Sequence, residues 1–182
     1  MEPIWKDIPS LDGYQAAATG EIRSFWKRNA GPIPVKLQTP RTISLSTSTT
    51  GYSVFRARNR AGERKQIRVG RIIWETFCGA IPRGRYVDHI NRVRDDNRVC
   101  NLRLATPAQN IWNTKLLKKN GLPKGIGIRI SGPMKTVTYR CNLTHNGKRM
   151  YFESFKNIES AILCRRVLSR MFHGEFACKE NL

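Results

Sequence analysis

Apolar and polar positions change period several times along the chain. Near the N-terminus the apolar patches are brief and broken by turn residues, as in Trp5-Lys6-Asp7-Ile8, Gly13-Tyr14 and Thr19-Gly20-Glu21-Ile22-Arg23-Ser24. Such patches predict short strands and turns over residues 1–70. Two longer runs, Tyr52 to Arg58 and Glu63 to Val69, flank Asn59-Arg60-Ala61-Gly62, a hairpin loop ending in Gly. Residues 71–77 take a helical period, with Ile72, Ile73 and Phe77 near one face and Gly79 placed to stop the helix. Arg85 to Ile90 predicts a strand ending in polar residues. A loop rich in Asn, Asp and Arg follows from Asn91 to Asn101, and then a second strand, Leu102-Arg103-Leu104. Thr106-Pro107 opens a helix, with Thr as N-cap and Pro at the first helical position, and Asn110 falls in its second turn. Strand, long loop, strand and helix make a ββα unit, which needs packing from its neighbours to fold.

Beyond this unit, residues 113–125 hold four lysines, two glycines and a proline, the composition of an extended linker. Further on, Ile126, Ile128 and Ile130 alternate with Gly127 and Arg129, and Val137, Tyr139, Cys141 and Leu143 alternate with Thr138, Arg140 and Asn142. The second run predicts a two-faced strand. Asn146-Gly147 predicts a hairpin, with Lys148 to Phe155 as the third strand. From Asn157 the period is helical: Ile158, Ala161, Ile162, Leu168 and Phe172 share a face, and Asn157 and Gly174 fit as start and stop. The helix is expected to cover Val137, Tyr139, Cys141 and Leu143, leaving Arg140 and Asn142 in solvent. His145 reads as exposed hairpin and His173 as a helix C-terminal residue. The expected class is α+β in small modules: a strand-rich region over 1–60, the ββα unit with a preceding strand and helix over 61–112, a basic linker over 113–125, and a three-stranded antiparallel sheet with one helix over 126–182.

Charge sharpens this picture. The 182 residues carry 33 Lys and Arg against 13 Asp and Glu, a formal charge of +20. That excess calls for a polyanionic partner, of which nucleic acid is the commonest. Residues 1–30 are balanced, whereas 31–60 hold five basic and no acidic side chains and 111–140 hold seven and none. Between them, 88–110 sets four arginines against Asp88, Asp95 and Asp96. Basic stretches suit phosphate contact, and a carboxylate island in a cationic chain suits a metal; the plainer alternative is that these acids balance local charge. Hydrophobic residues at 40% support packed cores. No apolar run is long enough to span a membrane, and the N-terminus lacks a signal peptide's apolar segment. Five cysteines without a C-x-x-C pair argue against a disulfide framework and against zinc staples, and for a reducing cytosol.

Four polar residues of the ββα unit can converge on one pocket: Asp88, His89, Asn101 and Asn110. Asp88 and Asn110 each offer an oxygen to a hard divalent cation, leaving the other positions to water and substrate phosphate, as is usual for Mg²⁺. His89, with a reference pKa near ~6.5, can take a proton from water for attack on phosphorus, and Asn101 can fix its tautomer through the side-chain carbonyl. Taken alone, Asp88-His89 reads more simply as a surface pair, and Asn101 as part of a turn. The spacing of all four on a ββα pattern favours a site.

Val87-Asp88-His89-Ile90-Asn91, Asp95-Asp96-Asn97, Asn101-Leu102-Arg103 and Gln109-Asn110 together resemble the HNH nuclease motif in the form seen in phage homing endonucleases. The resemblance implies a ββα-metal site with His89 as general base, Asn101 holding it, and Asp88 and Asn110 on one divalent ion, Mg²⁺ first and Mn²⁺ second, without zinc. Trp5-Lys6-Asp7-Ile8 and Gly20-Glu21-Ile22-Arg23-Ser24 are similar to a nuclease-associated modular motif, although Gln15-Ala16-Ala17-Ala18 and Val69-Gly70-Arg71 depart from its pattern. The last sixty residues resemble the apetala/ethylene-response-factor DNA-binding domain through Tyr139-Arg140-Cys141, Gly147-Lys148-Arg149, Phe155, Glu159-Ser160-Ala161 and His173 to Ala177. These resemblances imply a monomeric, site-specific endonuclease that nicks one strand of double-stranded DNA. Expected DNA contacts are Lys115, Lys118, Lys119 and Lys124 on the linker, and Arg129, Arg140, Asn142, Lys148 and Arg149 on the C-terminal sheet. The ββα unit is expected to hold all its catalytic residues without the C-terminal module. The competing readings are a non-catalytic DNA-binding regulator on a degenerate nuclease fold and, from charge alone, an RNA-binding protein. No obligate protein partner is evident.

Overall fold

The computed structural model describes residues 3–27, 35–58, 63–114 and 121–178. The chain divides into two compact units, Met1–Thr106 and Pro107–Leu182. In the first, β1 (Trp5–Asp7), β2 (Tyr14–Ala17), β3 (Ile22–Trp26) and β4 (Lys36–Thr42) form a four-stranded antiparallel sheet in chain order. A second sheet holds β5 (Ser46–Thr47), β6 (Ser53–Arg58) and β7 (Arg64–Arg68). The predicted hairpin is thus the β6–β7 pair, while its loop, 59–62, lies outside the described residues. Helix α1 (Val69–Phe77) begins directly at the end of β7, and Gly79 follows it with φ of 99°. β8 (Tyr86–His89) and β9 (Leu102–Ala105) form a two-stranded sheet.

One core joins these pieces. Ile8, Tyr14, Ile22, Phe55, Val69, Ile72, Ile73 and Leu102 pack together, so α1 buries the face its periodicity marks. Ala16 and Ala17 are fully buried in β2, against which α1 packs. Side chains that small let helix and strand approach closely, which places Ala16 and Ala17 in the core, while Gln15 is half-buried and Ala18 exposed.

The second unit contains α2 (Pro107–Trp112), then β10 (Ile126–Ser131), β11 (Thr136–His145) and β12 (Lys148–Phe155) as an antiparallel sheet, and α3 (Ile158–His173). Asn157 caps α3, its Oδ1 accepting from the Ser160 N–H at 2.8 Å. Ile126, Cys141 and Ala161 are the buried centre, with Tyr139, Phe152, Phe155, Ile162 and Leu168 around them.

Three expectations change here. The alternation along β11 breaks: Val137 is 44% exposed, whereas Cys141, Asn142 and Leu143 are buried in succession. The cause is a register shift against β12 between Arg140 and Asn142. The Asn142 N–H turns to the Gly125 carbonyl at 2.7 Å, and a Cβ on Gly125, whose φ is 85°, would stand 2.5 Å from the Asn142 carbonyl oxygen. Asn142 is therefore an internal residue and not a solvent-facing one. His173 is buried and His145 half-buried, because both pack with Trp112. That same packing moves the domain boundary, since α2 clusters with the C-terminal sheet and helix rather than with β8 and β9.

Candidate active site

Asp88 and His89 are the last two residues of β8, paired in register with Arg103 and Leu102 of β9. Both side chains are buried. The Asp88 Oδ2 accepts from Arg103 Nε at 2.9 Å, a pair shielded on both sides.

The loop between the two strands is tied to itself. Asn101 Oδ1 accepts from the Asn91 N–H at 3.0 Å, while Asn101 Nδ2 donates to Asn91 Oδ1 at 2.9 Å and to the Asp96 carbonyl at 2.8 Å. Arg98 grips the Asp96 carboxylate through both Nε and Nη2 at 2.7 Å. That hydrogen bond is the main reason the Asp96 carboxyl is pulled down to about 2. Asn101 is a loop tether, and the expected bond from its carbonyl to His89 is absent because that oxygen serves the Asn91 backbone.

His89 is held by Asn97 instead. Its Nε2 lies 3.1 Å from Asn97 Oδ1, and Asn97 Nδ2 donates to the Asp95 carbonyl at 3.0 Å. The second bond fixes which way the amide points, so its oxygen faces the ring. An amide oxygen only accepts, so His89 Nε2 carries the proton of this bond. Gly70, in the first turn of α1, closes this arrangement: a Cβ there would stand 2.9 Å from Asn97 Oδ1 and 3.4 Å from His89 Nε2.

An aromatic ring that carries two cations neighbours the imidazole. The Tyr52 ring lies 5.9 Å from the His89 ring, and the guanidinium carbons of Arg68 and Arg94 lie 4.5 Å and 4.8 Å from the Tyr52 centroid. Arg94 also donates to the Thr50 carbonyl. Two guanidinium groups held on an aromatic ring beside a potential base can attract phosphate and offset charge developing on it. The sequence motif contained Asn97 without indicating its role. Tyr52, Arg68 and Arg94 carried no signal, since they come from the residue before β6, the end of β7 and the loop.

In the second unit Asn110 sits on α2, its carbonyl accepting from Thr114 Oγ1 at 3.1 Å. Lys115, Lys118 and Lys119 lie outside the described residues. Lys124 is not an extended phosphate contact: its Nζ donates to the Ile111 carbonyl at 3.1 Å, and burial together with Arg165 pushes its pKa down. Arg129, Lys148 and Arg149 are exposed. Arg149 donates to Asn142 Oδ1 from Nε and Nη2, at 3.3 and 3.2 Å. Arg149 and Arg140 both lie over the exposed ring of Tyr151, at 5.4 and 5.7 Å, so an aromatic side chain that sequence reasoning did not single out joins that patch.

A family model described as HNH endonuclease matches residues 68–111, the span from the end of β7 into α2. The chain is 37% identical over 107 residues to Protein 3.8 of Escherichia phage T7, covering 58% of this chain and 84% of that protein. Residues 68–111 thus form an HNH endonuclease domain. It is also 29% identical over 113 residues to DNA endonuclease I-HmuI of Bacillus phage SP01, covering 60% of this chain and 56% of the relative. It thus spans about half the length of that enzyme. A solved structure of the HNH homing endonuclease I-HmuI aligns with a TM-score of 0.47 and 29% identity over 61% of this chain and 56% of that one. Among the described residues no helix is long and apolar enough to cross a membrane.

Proposed function

We propose that the protein is a site-specific endonuclease of the homing type that hydrolyses a phosphodiester bond in double-stranded DNA. The observation that carries this reading is the buried His89, whose Nε2 is bonded to an amide oxygen fixed in direction by its own second bond. The imidazole so held is the group to take a proton from water as the water oxygen attacks phosphorus and the P–O bond to the leaving sugar oxygen breaks, that oxygen taking a proton from solvent. Arg68 and Arg94 stand where they can draw the phosphate toward the ring.

The donor chemistry fits a hard divalent cation: a carboxylate at Asp88 and an amide oxygen at Asn110, the latter assigned by motif spacing. Among the described residues no cluster of three His, Cys, Asp or Glu side chains could hold an ion alone, which leaves the remaining positions to water and phosphate oxygens. When bound, such an ion supplies charge stabilisation at the phosphate, and Mg²⁺ is the first candidate. Arg129, Arg140, Lys148 and Arg149, with Tyr151, are the surface of the C-terminal unit proposed to meet DNA. One active site per chain suits nicking by a monomer.

The test is Mg²⁺-dependent conversion of supercoiled phage or host DNA to nicked circles, repeated with EDTA. His89→Ala is expected to slow conversion by about 10²–10⁴-fold while DNA affinity stays unchanged. Cleavage by His89→Ala at the normal rate would remove the assignment.

A further inference from the structure

The first unit holds a cavity that the active site does not use. It lies where the two N-terminal sheets meet, with a volume near 350 Å³, and four cations border it: Lys27, Arg41, Arg56 and Arg64. Ser44 and Ser46 line it as well, and buried Tyr14, Ser24 and Phe55 complete the wall. Among the described residues none of the four cations has a carboxylate partner; the one polar contact of their head groups is Arg41 Nε to the Trp26 carbonyl at 3.4 Å. Arg56 and Arg64 stand on the paired strands β6 and β7 as diagonal neighbours, Arg56 facing Gln66 and Arg64 facing Arg58, and like charges that near on a sheet weaken it. Four cations without a carboxylate partner among the described residues, three of them on separate strands, converge on one cavity, an arrangement that an anion would relieve. Three are arginines, whose forked donors match phosphate oxygens. Two of the five basic residues of the stretch 31–60, Arg41 and Arg56, thereby acquire a purpose.

Resting on the reading of the chain as a duplex-DNA endonuclease, we infer that this cavity seats a backbone phosphate of the DNA, away from His89, as an anchor that holds the duplex without reading its bases. A phosphate contact releases counterions, so it is visible in the salt dependence of binding.

The experiment uses the full chain carrying His89→Ala, so that DNA is bound and not consumed, and follows duplex binding by fluorescence anisotropy from low to moderate salt. Arg41→Gln, Arg56→Gln and Arg64→Gln, singly and together, are expected to flatten the slope of log K against log salt by about 0.9 for each phosphate no longer neutralised, alike on cognate and unrelated duplexes. Arg56→Lys keeps the charge and should keep the slope. If the triple variant melts early, the single Arg56→Gln at its exposed position carries the test. An unchanged slope overturns the proposal. So does calorimetric binding of inorganic phosphate that the glutamine variants lose while their DNA slope stays as before, which would make the cavity a site for free anions. Should the unsubstituted protein fail to nick DNA while the slope still falls, the nuclease reading fails and the anchor stands.

Discussion

Around His89 the side chains divide the labour by bond geometry. Asn97 decides which imidazole nitrogen carries the proton, and Asn101 decides the shape of the loop that presents it. Asn101→Ala would strand the Asn91 N–H and the Asp96 carbonyl, so it is expected to cost about 1–3 kcal/mol in urea unfolding. Gly70 gives a sharper test. In a helix, Gly→Ala ordinarily stabilises by about 1 kcal/mol. Here the new Cβ would press on Asn97 Oδ1, 2.9 Å away, so Gly70→Ala is expected to leave or raise the melting temperature while lowering single-turnover cleavage about 10²-fold. Wild-type cleavage by that variant would show that the ring tolerates the shift.

At the scale of elements, β8, the Asn91–Asn101 loop, β9 and α2 were all legible, because each follows from local period and turn chemistry. Which unit α2 joins was not. Trp112 stacks on His173 with ring centroids 4.3 Å apart and planes 6° from parallel, and Lys124 bonds the Ile111 carbonyl. Both partners lie beyond the motif that defines the helix, and no local pattern announces them. Removing residues 126–182 takes away the surface on which α2 rests. The truncated chain is therefore expected to lose nicking activity by more than it loses DNA affinity, rather than to retain residual cleavage. Trp112→Ala in the full chain should reproduce part of that loss, about 10²-fold, and Trp112→Phe should restore most of it. Plasmid nicking and anisotropy on the same samples separate the two effects. The bulge in β11 was equally hidden, because alternation in the sequence continues straight through Cys141-Asn142-Leu143.

For the molecule as a whole, pH acts through a residue far in sequence from the candidate site. His173 Nε2 lies 3.1 Å from the Thr144 carbonyl and must donate to it, so Nδ1 accepts from Ser169 Oγ at 3.3 Å and the ring is neutral. Burial, partly offset by that carbonyl and aided by Arg165, His145 and Lys124, holds its pKa down to about 4. The unfolded chain has its histidine near ~6.5, so this contribution to stability is complete above that pH and is lost as pH falls toward 4. Asp96, held to about 2, adds its own loss only below about pH 4. Melting of the full chain should therefore begin to weaken below about pH 6.5, and His173→Gln should remove most of the change between there and pH 4. Sequence alone determined the strand and helix periods, the helix stops at Gly79 and Gly174, the nuclease motif with Asp88 and His89, and a charge of +20 that suits an anionic partner. These depend on neighbours within a few positions, or on a sum over the chain. Only the tertiary structure decided that Asn97 rather than Asn101 holds the imidazole, that Asn142 turns inward, that Arg68 and Arg94 gather on the Tyr52 ring, and that four cations without a carboxylate partner among the described residues share one cavity. Each of these depends on the approach of segments distant in sequence, which packing sets and local pattern does not encode.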